Sequence, residues 1–341
     1  MHRIKPKIKK YAIVSVTFAI ALVGCSNSDV STATDAEEGV GPSEVTLSVV
    51  LPFQPEATEL HGYKMFVEKL AEDAPWITIE SRGGPESIPA FDQPEAVASG
   101  VVDMMATPTT YLGGMIPMVE GDKLSPLTPS EAREQGVYDF WEQLHNDVGL
   151  HFLGQTMPAV PSKLWLNEPI DTADLSGMQI RTSGTMQPLV ESLNGSAVAM
   201  DPGETYTALE RGVVDGVGWV AIGMSDFGWD EVVSYELDEP FFHSGSVSLV
   251  VNHDTWDSLD EETRAVMTET MSEVEDVAVG WYEDRAAEEM SDREAAGVEV
   301  ITLPKDESER FAEAAEDAGW DELLKVDPEK TQELRQLYGL D

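Results

Sequence analysis

Between residues 45 and 105, hydrophobic and polar residues follow the order expected for alternating strands and helices. Val45 to Val49 alternates as a strand does, and the apolar residues of Thr58 to Asp73 recur at helical spacing. Trp76 to Glu80 is predicted as a second strand, Pro94 to Ser99 as a helix and Val101 to Met105 as a third strand. This order predicts a mostly parallel sheet covered by helices.

The same order of elements returns between residues 178 and 216. The pattern predicts three strands and two helices, in chain order Met178 to Thr182, Met186 to Leu193, Ala197 to Met200, Glu204 to Arg211 and Val213 to Gly216. Gly-Val-Val-Asp stands at 100–103 and again at 212–215, in each case between a helix and a strand. Chance recurrence of four residues is the alternative. The shared context favours two similar α/β lobes with a ligand cleft between them, at the carboxyl ends of the strands.

The C-terminal third of the chain has a different pattern. From Leu259 onward, acidic segments with helical spacing dominate, including one from Glu261 to about Ala296, and Val298 to Leu303 is strand-like. The fold class expected is therefore α/β, with two lobes and a helical C-terminal region.

The first 43 residues are typical of an exported chain. Five basic residues precede an apolar run from Tyr11 to Val23, as in a secretory signal peptide, and the run is short for a membrane-spanning helix. Leu22-Val23-Gly24-Cys25 resembles a lipobox, and Cys25 is the only cysteine of the chain. We expect a signal peptide at 1–24, lipidation at Cys25 and a flexible tether over 25–43. The alternative is a cysteine that merely ends an apolar segment.

The charge of the chain is strongly negative. The formal net charge is −43, and removal of 1–24 leaves 16 basic and 64 acidic residues, a charge of −48. This charge excludes nucleic acid as a partner. Because 42% of the residues are hydrophobic, the composition is not that of a disordered chain, and it indicates a protein that works in strong salt. Screening at molar salt would still allow an anionic ligand to reach a basic pocket.

The sequence carries no sign of catalysis. It lacks a Gly-x-Ser-x-Gly elbow, a His-Glu-x-x-His helix and a Walker loop, and its six histidines are scattered. Carboxylate pairs carry no weight among 64 acidic residues. We therefore expect no catalytic residues and no cofactor.

Two motifs at a characteristic distance carry a family resemblance. Leu175-Ser176-Gly177-Met178-Gln179-Ile180-Arg181 is followed by a segment from Tyr206 to Gly216 that reads Tyr-x-Ala-Leu-x-x-Gly-x-x-Asp-Gly. In both, the chain resembles the DctP-type substrate-binding subunit of tripartite ATP-independent periplasmic (TRAP) transporters, over roughly residues 45 to 335. The resemblance implies a periplasmic-binding-protein-like fold and a carboxylate-bearing ligand.

The resemblance also implies site residues. Arg181 matches the arginine that, in this family, forms a bidentate ion pair with a carboxylate of the ligand. Lys163 lies where some relatives have a second basic residue in contact with the ligand. With a tryptophan at position 219, the chain resembles the branch of this family that binds 2-oxo acids and lactate. That branch has an acidic residue for a cation just before the tryptophan, where this chain has Gly218, so no metal is expected. The alternatives are a structural ion pair for Arg181 and core packing for Trp219.

Three further candidates come from loops that follow predicted strands. Phe53, Tyr111 and Glu86 are expected to face the cleft, since such loops carry binding residues in α/β folds. Glu86 is equally consistent with a solvated turn.

Together these observations predict an extracytoplasmic, lipid-anchored solute-binding protein that closes its lobes on a small organic acid and delivers it to the small and large permease subunits of a TRAP transporter. The expected boundaries are 44–164 plus about 249–290 for the first lobe, and 165–248 plus about 291–341 for the second. An ABC-type or sensory binding protein is the alternative with the same architecture. An exported enzyme is the alternative of a different class.

Overall fold

The computed structural model describes residues 42–183 and 186–340, without the side chain of His243. The predicted signal peptide, Cys25 and nearly all of the predicted tether lie outside these residues. None of the helices in the described part of the chain is long and apolar enough to cross a membrane.

The described residues form ten strands, ten α-helices and several 3-10 helices. In chain order the strands and α-helices are β1 (Val45–Val50), α1 (His61–Asp73), β2 (Ile77–Ser81), α2 (Gln93–Ala98), β3 (Met104–Pro108), α3 (Pro129–Glu134), α4 (Val137–Asn146), β4 (Leu150–Leu166), β5 (Gln179–Thr182), α5 (Gln187–Ser192), β6 (Ser196–Ala199), α6 (Pro202–Glu210), β7 (Gly216–Val220), β8 (Tyr235–Leu237), β9 (Phe242–Asn252), α7 (His253–Ser258), α8 (Glu261–Ala296), β10 (Glu299–Ile301), α9 (Lys305–Val326) and α10 (Pro328–Leu337). The 3-10 helices are Thr58–Leu60, Ala90–Asp92, Thr109–Leu112, Pro117–Leu124, Met224–Phe227 and Trp229–Glu231.

The strands form one mixed sheet in the order β2-β1-β3-β9-β4-β7-β5-β6, with β8 pairing β4 and β10 pairing β8. Each end is parallel, as predicted: β1 lies between β2 and β3, and β5 between β6 and β7. The prediction of a mostly parallel sheet is wrong at the centre, where β4 and β9 run antiparallel to each other and to β7 and β3. Because the apolar run of β4 has no simple period, the sequence pattern did not identify this strand, whereas a strand between His243 and His253 is expected where β9 lies.

The repeated Gly-Val-Val-Asp performs the same structural task in both lobes. Gly100 and Gly212 adopt left-handed backbone conformations, with φ of 74° and 64°, and end their helices. Asp103 then accepts a hydrogen bond from the Ser48 backbone N–H at 2.8 Å, and Asp215 accepts one from that of Gln179 at 2.7 Å. Each aspartate therefore ties its own turn to the strand next to it, and the strand proper begins only after the aspartate.

The lobes are joined by the longest elements of the chain. The 17 residues of β4 pair with β9 along one part and with β7 along another, and the register shifts repeatedly between Phe152 and Ser162. Helix α8, confirmed over the predicted range, packs along β4 and α1. The last helices cover both lobes: Phe311 packs in the cluster of β5 and α5, whereas Trp320 and Leu334 pack in the cluster of β3 and α4. The predicted lobe boundaries, which gave all of 291–341 to the second lobe, stay a prediction.

Candidate ligand site between the lobes

A partly enclosed cavity lies where the carboxyl ends of β1, β3, β5 and β7 approach the middle of β4 and β9. Its lining residues, called the cavity below, are Phe53, Glu59, Pro108, Thr110, Tyr111, Lys123, Met157, Ser162, Ser183, Met186, Trp219, Val220, Phe242, Ser244, Gly245, Ser246 and Val247. The space open to the centres of water molecules is about 60 Å³. Since one water needs about 10–15 Å³ by this measure, the cavity accepts several water-sized groups. That is the scale of a small organic molecule.

Aromatic rings form much of the cavity wall, and they come from both lobes. Phe53 follows β1 and meets Trp219 of β7 edge-on, with ring centres 5.9 Å apart. It also meets Phe227 at 6.0 Å and Tyr111 at 6.5 Å. The contacts of Phe53 with Trp219 and Phe227 join the first lobe to the second across the cavity. Phe53, Tyr111 and Trp219 are therefore brought together, in the loops and strand ends that the sequence predicted.

Arg181 is fully buried at the end of β5, one layer behind the cavity wall. It does not line the cavity, and its guanidinium carbon lies 5.0 Å from the ring centre of Trp219 and 5.6 Å from that of Trp229. Nε and Nη2 both donate to the carbonyl oxygen of Met200, at 3.1 and 2.7 Å. The Nε edge of the fork is therefore already used within the protein, which the sequence could not show.

The remaining nitrogen of Arg181 is without a partner. Among the described residues, Nη1 makes no hydrogen bond and no carboxylate pairs with the guanidinium. Burial lowers the pKa of Arg181 to about 10, and the nearby Tyr111 and Asp201 oppose this shift. The Tyr111 hydroxyl is also buried without a hydrogen-bond partner, and burial raises its pKa well above the ordinary value. The hydroxyl and the guanidinium lie close enough to influence each other's pKa, but neither Nη1 nor the hydroxyl oxygen makes a hydrogen bond of ordinary geometry among the described residues.

Glu59, which no sequence pattern pointed to, lies in the cavity wall on the 3-10 helix Thr58–Leu60. Its side chain is 1% exposed. Oε1 accepts a hydrogen bond from Nε1 of Trp219 at 3.0 Å, and Oε2 has no partner among the described residues. Burial raises the pKa of Glu59 to about 8. From sequence, Thr-Glu-Leu at the start of an amphipathic helix is typical of a solvated carboxylate, so nothing local signals its burial.

Lys123 is the second cavity residue that the sequence pattern did not identify. Its ammonium group pairs with Glu120 at 2.9 Å and lies 4.6 Å from the ring centre of Phe242. The neighbouring Asp122 accepts hydrogen bonds from Gln155, at 2.6 Å, and from the cavity residue Ser246. Lys123 sits in the acidic stretch Glu120 to Lys123, and only the scarcity of lysine in this chain could have pointed to it.

Lys163 and Glu86 do not line the cavity. The Lys163 ammonium is held by Glu236 at 2.9 Å, in a buried network that also binds Nε of Arg293 at 2.9 Å. Glu86 is exposed and accepts from the backbone N–H of Gly84 at 2.8 Å, which lowers its pKa. Both residues thus have structural partners outside the cavity, for Glu86 the turn that the sequence left open as its alternative. No group of three or more His, Cys, Asp or Glu in the described residues is arranged to hold a metal ion.

The family model and the curated relative that match this chain describe the same kind of protein. Residues 55–325 match the family model described as "Bacterial extracellular solute-binding protein, family 7", DctP. The chain is 22% identical over 293 residues to the C4-dicarboxylate-binding periplasmic protein DctP of Rhodobacter capsulatus, which covers 83% of this chain and 80% of that protein.

Two solved structures illustrate the likeness of fold. A TRAP periplasmic solute-binding protein from Sulfitobacter sp. NAS-14.1, with bound β-D-galacturonate, has a TM-score of 0.74 and 20% identity, and the match covers 86% of this chain and 99% of that one. An extracytoplasmic solute receptor of Bordetella pertussis that binds pyroglutamic acid has a TM-score of 0.77 and 15% identity, with the same coverage. The two-lobe fold expected from the sequence is thereby confirmed.

Proposed function

The chain belongs to the DctP family of bacterial extracellular solute-binding proteins, whose members bind solutes and are not enzymes, and we propose that it captures a small carboxylate-bearing solute and delivers it to a TRAP permease. The permease would supply the energy from an ion gradient. Family membership favours this function over an ABC-type or sensory binding protein.

One observation carries the proposal: the buried guanidinium of Arg181 has no carboxylate partner among the described residues, and its Nη1 lacks a hydrogen bond. A buried charge without a counter-ion is costly, and a cation beside a partly enclosed cavity is satisfied by an anionic ligand. A carboxylate reaching between Tyr111 and Trp219 would meet both unpartnered groups, Nη1 and the Tyr111 hydroxyl. Since Met200 occupies the Nε edge, the two-pronged contact would use the Nη1 and Nη2 edge.

The remainder of the solute would lie against Phe53, Trp219 and Phe242, which provide flat apolar walls. The names of relatives supply the candidate classes: C4-dicarboxylates, uronic acids and pyroglutamate. All carry at least one carboxylate.

Closure of the lobes is part of the proposal. Two hydrogen bonds support it, because each crosses between the lobes: Trp219 to Glu59, at 3.0 Å, and the Thr58 backbone N–H to Asp226, at 2.7 Å. Opening would break both and expose the cavity. The irregular middle of β4, where Ala159 has a positive φ of 55°, is the candidate hinge.

We further propose that the chain is exported, cleaved before Cys25 and tethered to the membrane by lipid on that cysteine. The lipobox-like Leu22 to Cys25 motivates the proposal. Mass spectrometry of the N-terminal peptide from the native host tests it, and an unmodified start beyond Cys25 would contradict it. The charge of −43 supports a source that lives in strong salt.

The carboxylate contact is tested at Arg181. A thermal-shift screen with succinate, D-galacturonate and L-pyroglutamate first selects a ligand, since a ligand at 100 times its Kd adds about 2.7 kcal/mol of stability. We expect Arg181→Lys and Arg181→Ala to weaken its binding by about 2 to 5 kcal/mol, or about 30-fold to several thousand-fold. Lysine keeps the positive charge but cannot form the bidentate contact that the planar guanidinium group makes. Isothermal titration measures the loss.

Arg293→Lys is the matched control. Arg293 is buried to a similar degree and hydrogen-bonded, but its guanidinium already has two carboxylate partners, Glu236 and Glu289. The Arg293→Lys substitution should lower the stability of the protein and leave its affinity for the ligand nearly unchanged. If Arg181→Lys binds as tightly as the unaltered protein, the two-pronged contact is refuted; if Arg181→Ala does so too, Arg181 is not a ligand residue.

A further inference from the structure

Glu59 is a buried carboxyl group with one oxygen used and one left over. Oε1 accepts from Trp219, whereas Oε2 has no partner among the described residues, although Glu59 lines the cavity. Native proteins rarely leave a buried polar atom without a partner, because its desolvation is then uncompensated. We therefore expect Oε2 to find its hydrogen-bond partner on the bound solute.

The surroundings of Glu59 favour its neutral form. Asp226 and Glu289 face it from the 3-10 helix Met224–Phe227 and from α8, and both disfavour a further negative charge. Tyr282 of α8 donates to the Glu59 backbone carbonyl, and Tyr111, an uncharged phenol, lies across the cavity wall. The cations nearby are committed elsewhere: Lys123 pairs with Glu120, and Arg285 and Arg293 pair with Glu289. Burial, the largest influence, raises the pKa of Glu59 to about 8, although the interactions of the carboxyl group with its own backbone N–H and with Trp219 act in the opposite direction.

A neutral carboxyl group has a carbonyl oxygen and a hydroxyl. Since Oε1 accepts from the Trp219 indole, Oε1 is the carbonyl oxygen, and the proton resides on Oε2. The cavity wall therefore holds a hydrogen-bond donor at Glu59, and the cationic nitrogen of Arg181 lies behind the wall. Tyr111 is electrostatically coupled to both residues, so the donor and the cation both lie near it.

We propose that Glu59 acts as a neutral acid and donates a hydrogen bond from Oε2 to an uncharged acceptor oxygen of the solute. This inference rests on the proposed function, because it assumes that the solute's carboxylate is bound at Arg181. The solute class is then an organic acid that carries a second acceptor, such as a hydroxyl, keto or ring-carbonyl oxygen. An alkyl or cycloalkyl acid would leave the Oε2 donor unpaired in a dry site, which is how binding sites reject analogues that lack one polar group.

The test compares matched ligands and two variants of Glu59. D-Galacturonate and L-pyroglutamate carry the second acceptor, and cyclohexanecarboxylate and cyclopentanecarboxylate are ring acids of similar size without it. Glu59→Gln keeps a carbonyl for Trp219 and an N–H donor in place of the Oε2 hydroxyl. Glu59→Met keeps the volume and removes the donor. Isothermal titration at pH 7 and pH 9.5 measures each combination.

At pH 7 the unaltered protein and Glu59→Gln should bind the favoured acceptor-bearing acid with affinities within a few-fold. Glu59→Met should bind it about tenfold or more weakly, the loss expected for one hydrogen bond in a dry site, and should lose its preference over the matched cycloalkyl acid. From pH 7 to pH 9.5 the unaltered protein should weaken about tenfold or more as Glu59 ionises, while Glu59→Gln should change much less. Glu59→Gln also corrects for any loss of charge at Arg181 over this range.

Two results would overturn the inference. If Glu59→Gln binds as poorly as Glu59→Met, the negative charge of Glu59 is what binds, as for a solute with an ammonium group. If the unaltered protein and Glu59→Gln respond identically to pH, Glu59 carries no proton in the site.

If none of the four acids binds, the protonation of Glu59 is measured on the ligand-free proteins. The infrared difference spectrum between the unaltered protein and Glu59→Gln at pH 7 must contain the C=O stretch of a protonated carboxyl group, and its absence refutes the inference. Failure of the proposed carboxylate contact would look different, because the Arg181 variants would then bind normally while the two Glu59 variants still differed from each other.

Discussion

At the residue scale, three buried polar atoms lie in or directly behind the cavity wall without a hydrogen-bond partner among the described residues: Oε2 of Glu59 and the Tyr111 hydroxyl in the wall, and Nη1 of Arg181 behind it. Each is costly to leave without a hydrogen-bond partner. Arg181 and Glu59 contact the same aromatic residue, Trp219, from different sides of its indole. A solute that satisfies all three would therefore bind and close the site at once, which links affinity to closure.

The buried carboxyl of Glu59 also predicts how stability depends on pH. Its folded pKa of about 8 lies above the ordinary value of 4.5, so between these values the folded protein keeps a proton that the unfolded chain releases. Stability should fall as pH rises from 4.5 to 8, by at most about 1.4 kcal/mol per pH unit from this group. Glu59→Gln removes the effect. Urea unfolding at pH 5, 6.5 and 8 in constant molar salt measures this. As pH rises, the free energy of unfolding of Glu59→Gln should increase relative to that of the unaltered protein. If the two proteins show the same dependence on pH, the raised pKa is contradicted.

At the scale of elements, α8 serves both lobes. Its 36 residues span about 54 Å. In its first half, Glu275 accepts from Tyr138, at 2.7 Å, and from the Gln155 backbone N–H, at 2.6 Å. In its second half, Glu289 accepts from the Gly223 backbone N–H at 2.8 Å. A single helix thus contacts the first lobe, the central strand β4 and the second lobe.

Helix α1 approaches β4 so closely that a side chain is excluded at Gly62. A Cβ atom there would lie 1.7 Å from the carbonyl oxygen of Thr156, and the Gly62 backbone N–H donates to the Tyr282 hydroxyl at 3.0 Å. Gly62→Ala should destabilise the protein by at least the usual cost of overpacking, about 1 to 3 kcal/mol, because backbone atoms must move. Thermal or urea unfolding measures this loss.

Gly280 is the matched control for this prediction. It lies on α8, and a Cβ atom added there would have no neighbouring atom within 4 Å, so alanine meets nothing. Gly280→Ala should raise stability by about 0.5–1 kcal/mol, since alanine is the better helix former. Equal effects at Gly62 and Gly280 would show that α1 and β4 are not packed as described.

At the scale of the whole molecule, charge dominates. With a formal charge of −43, the compact state repels itself when counter-ions are withdrawn. Ion pairs inside the protein, such as Arg293 with Glu236, involve few of the 64 acidic residues. We expect the melting temperature to fall on dilution from molar to millimolar salt, measured by circular dichroism. An unchanged melting temperature would refute the inference of a source that lives in strong salt.

Several features followed from the sequence because their causes are local. Strand and helix periods gave β1, α1, β5 and α8 nearly to the residue, and glycine at 100 and 212 marked helix ends because a left-handed turn needs it there. Motif order gave the family, whereas the ligand contact at Arg181 stays a prediction. Loops after strands gave Phe53 and Tyr111, since strand ends in α/β folds meet at one edge.

Other features were decided only by the tertiary structure, because they depend on residues far apart in the chain. The central strands β4 and β9 pair across about 90 residues, and no local pattern indicates that pairing. Glu59 is buried only because Trp219 and Gly223, 160 residues and more downstream, fold over it. Lys163 is likewise engaged by Glu236, 73 residues away, and not by the cavity. Local patterns set which residues form helices and strands, whereas burial, and with it the protonation and partners of a side chain, is set by what the rest of the chain packs against it.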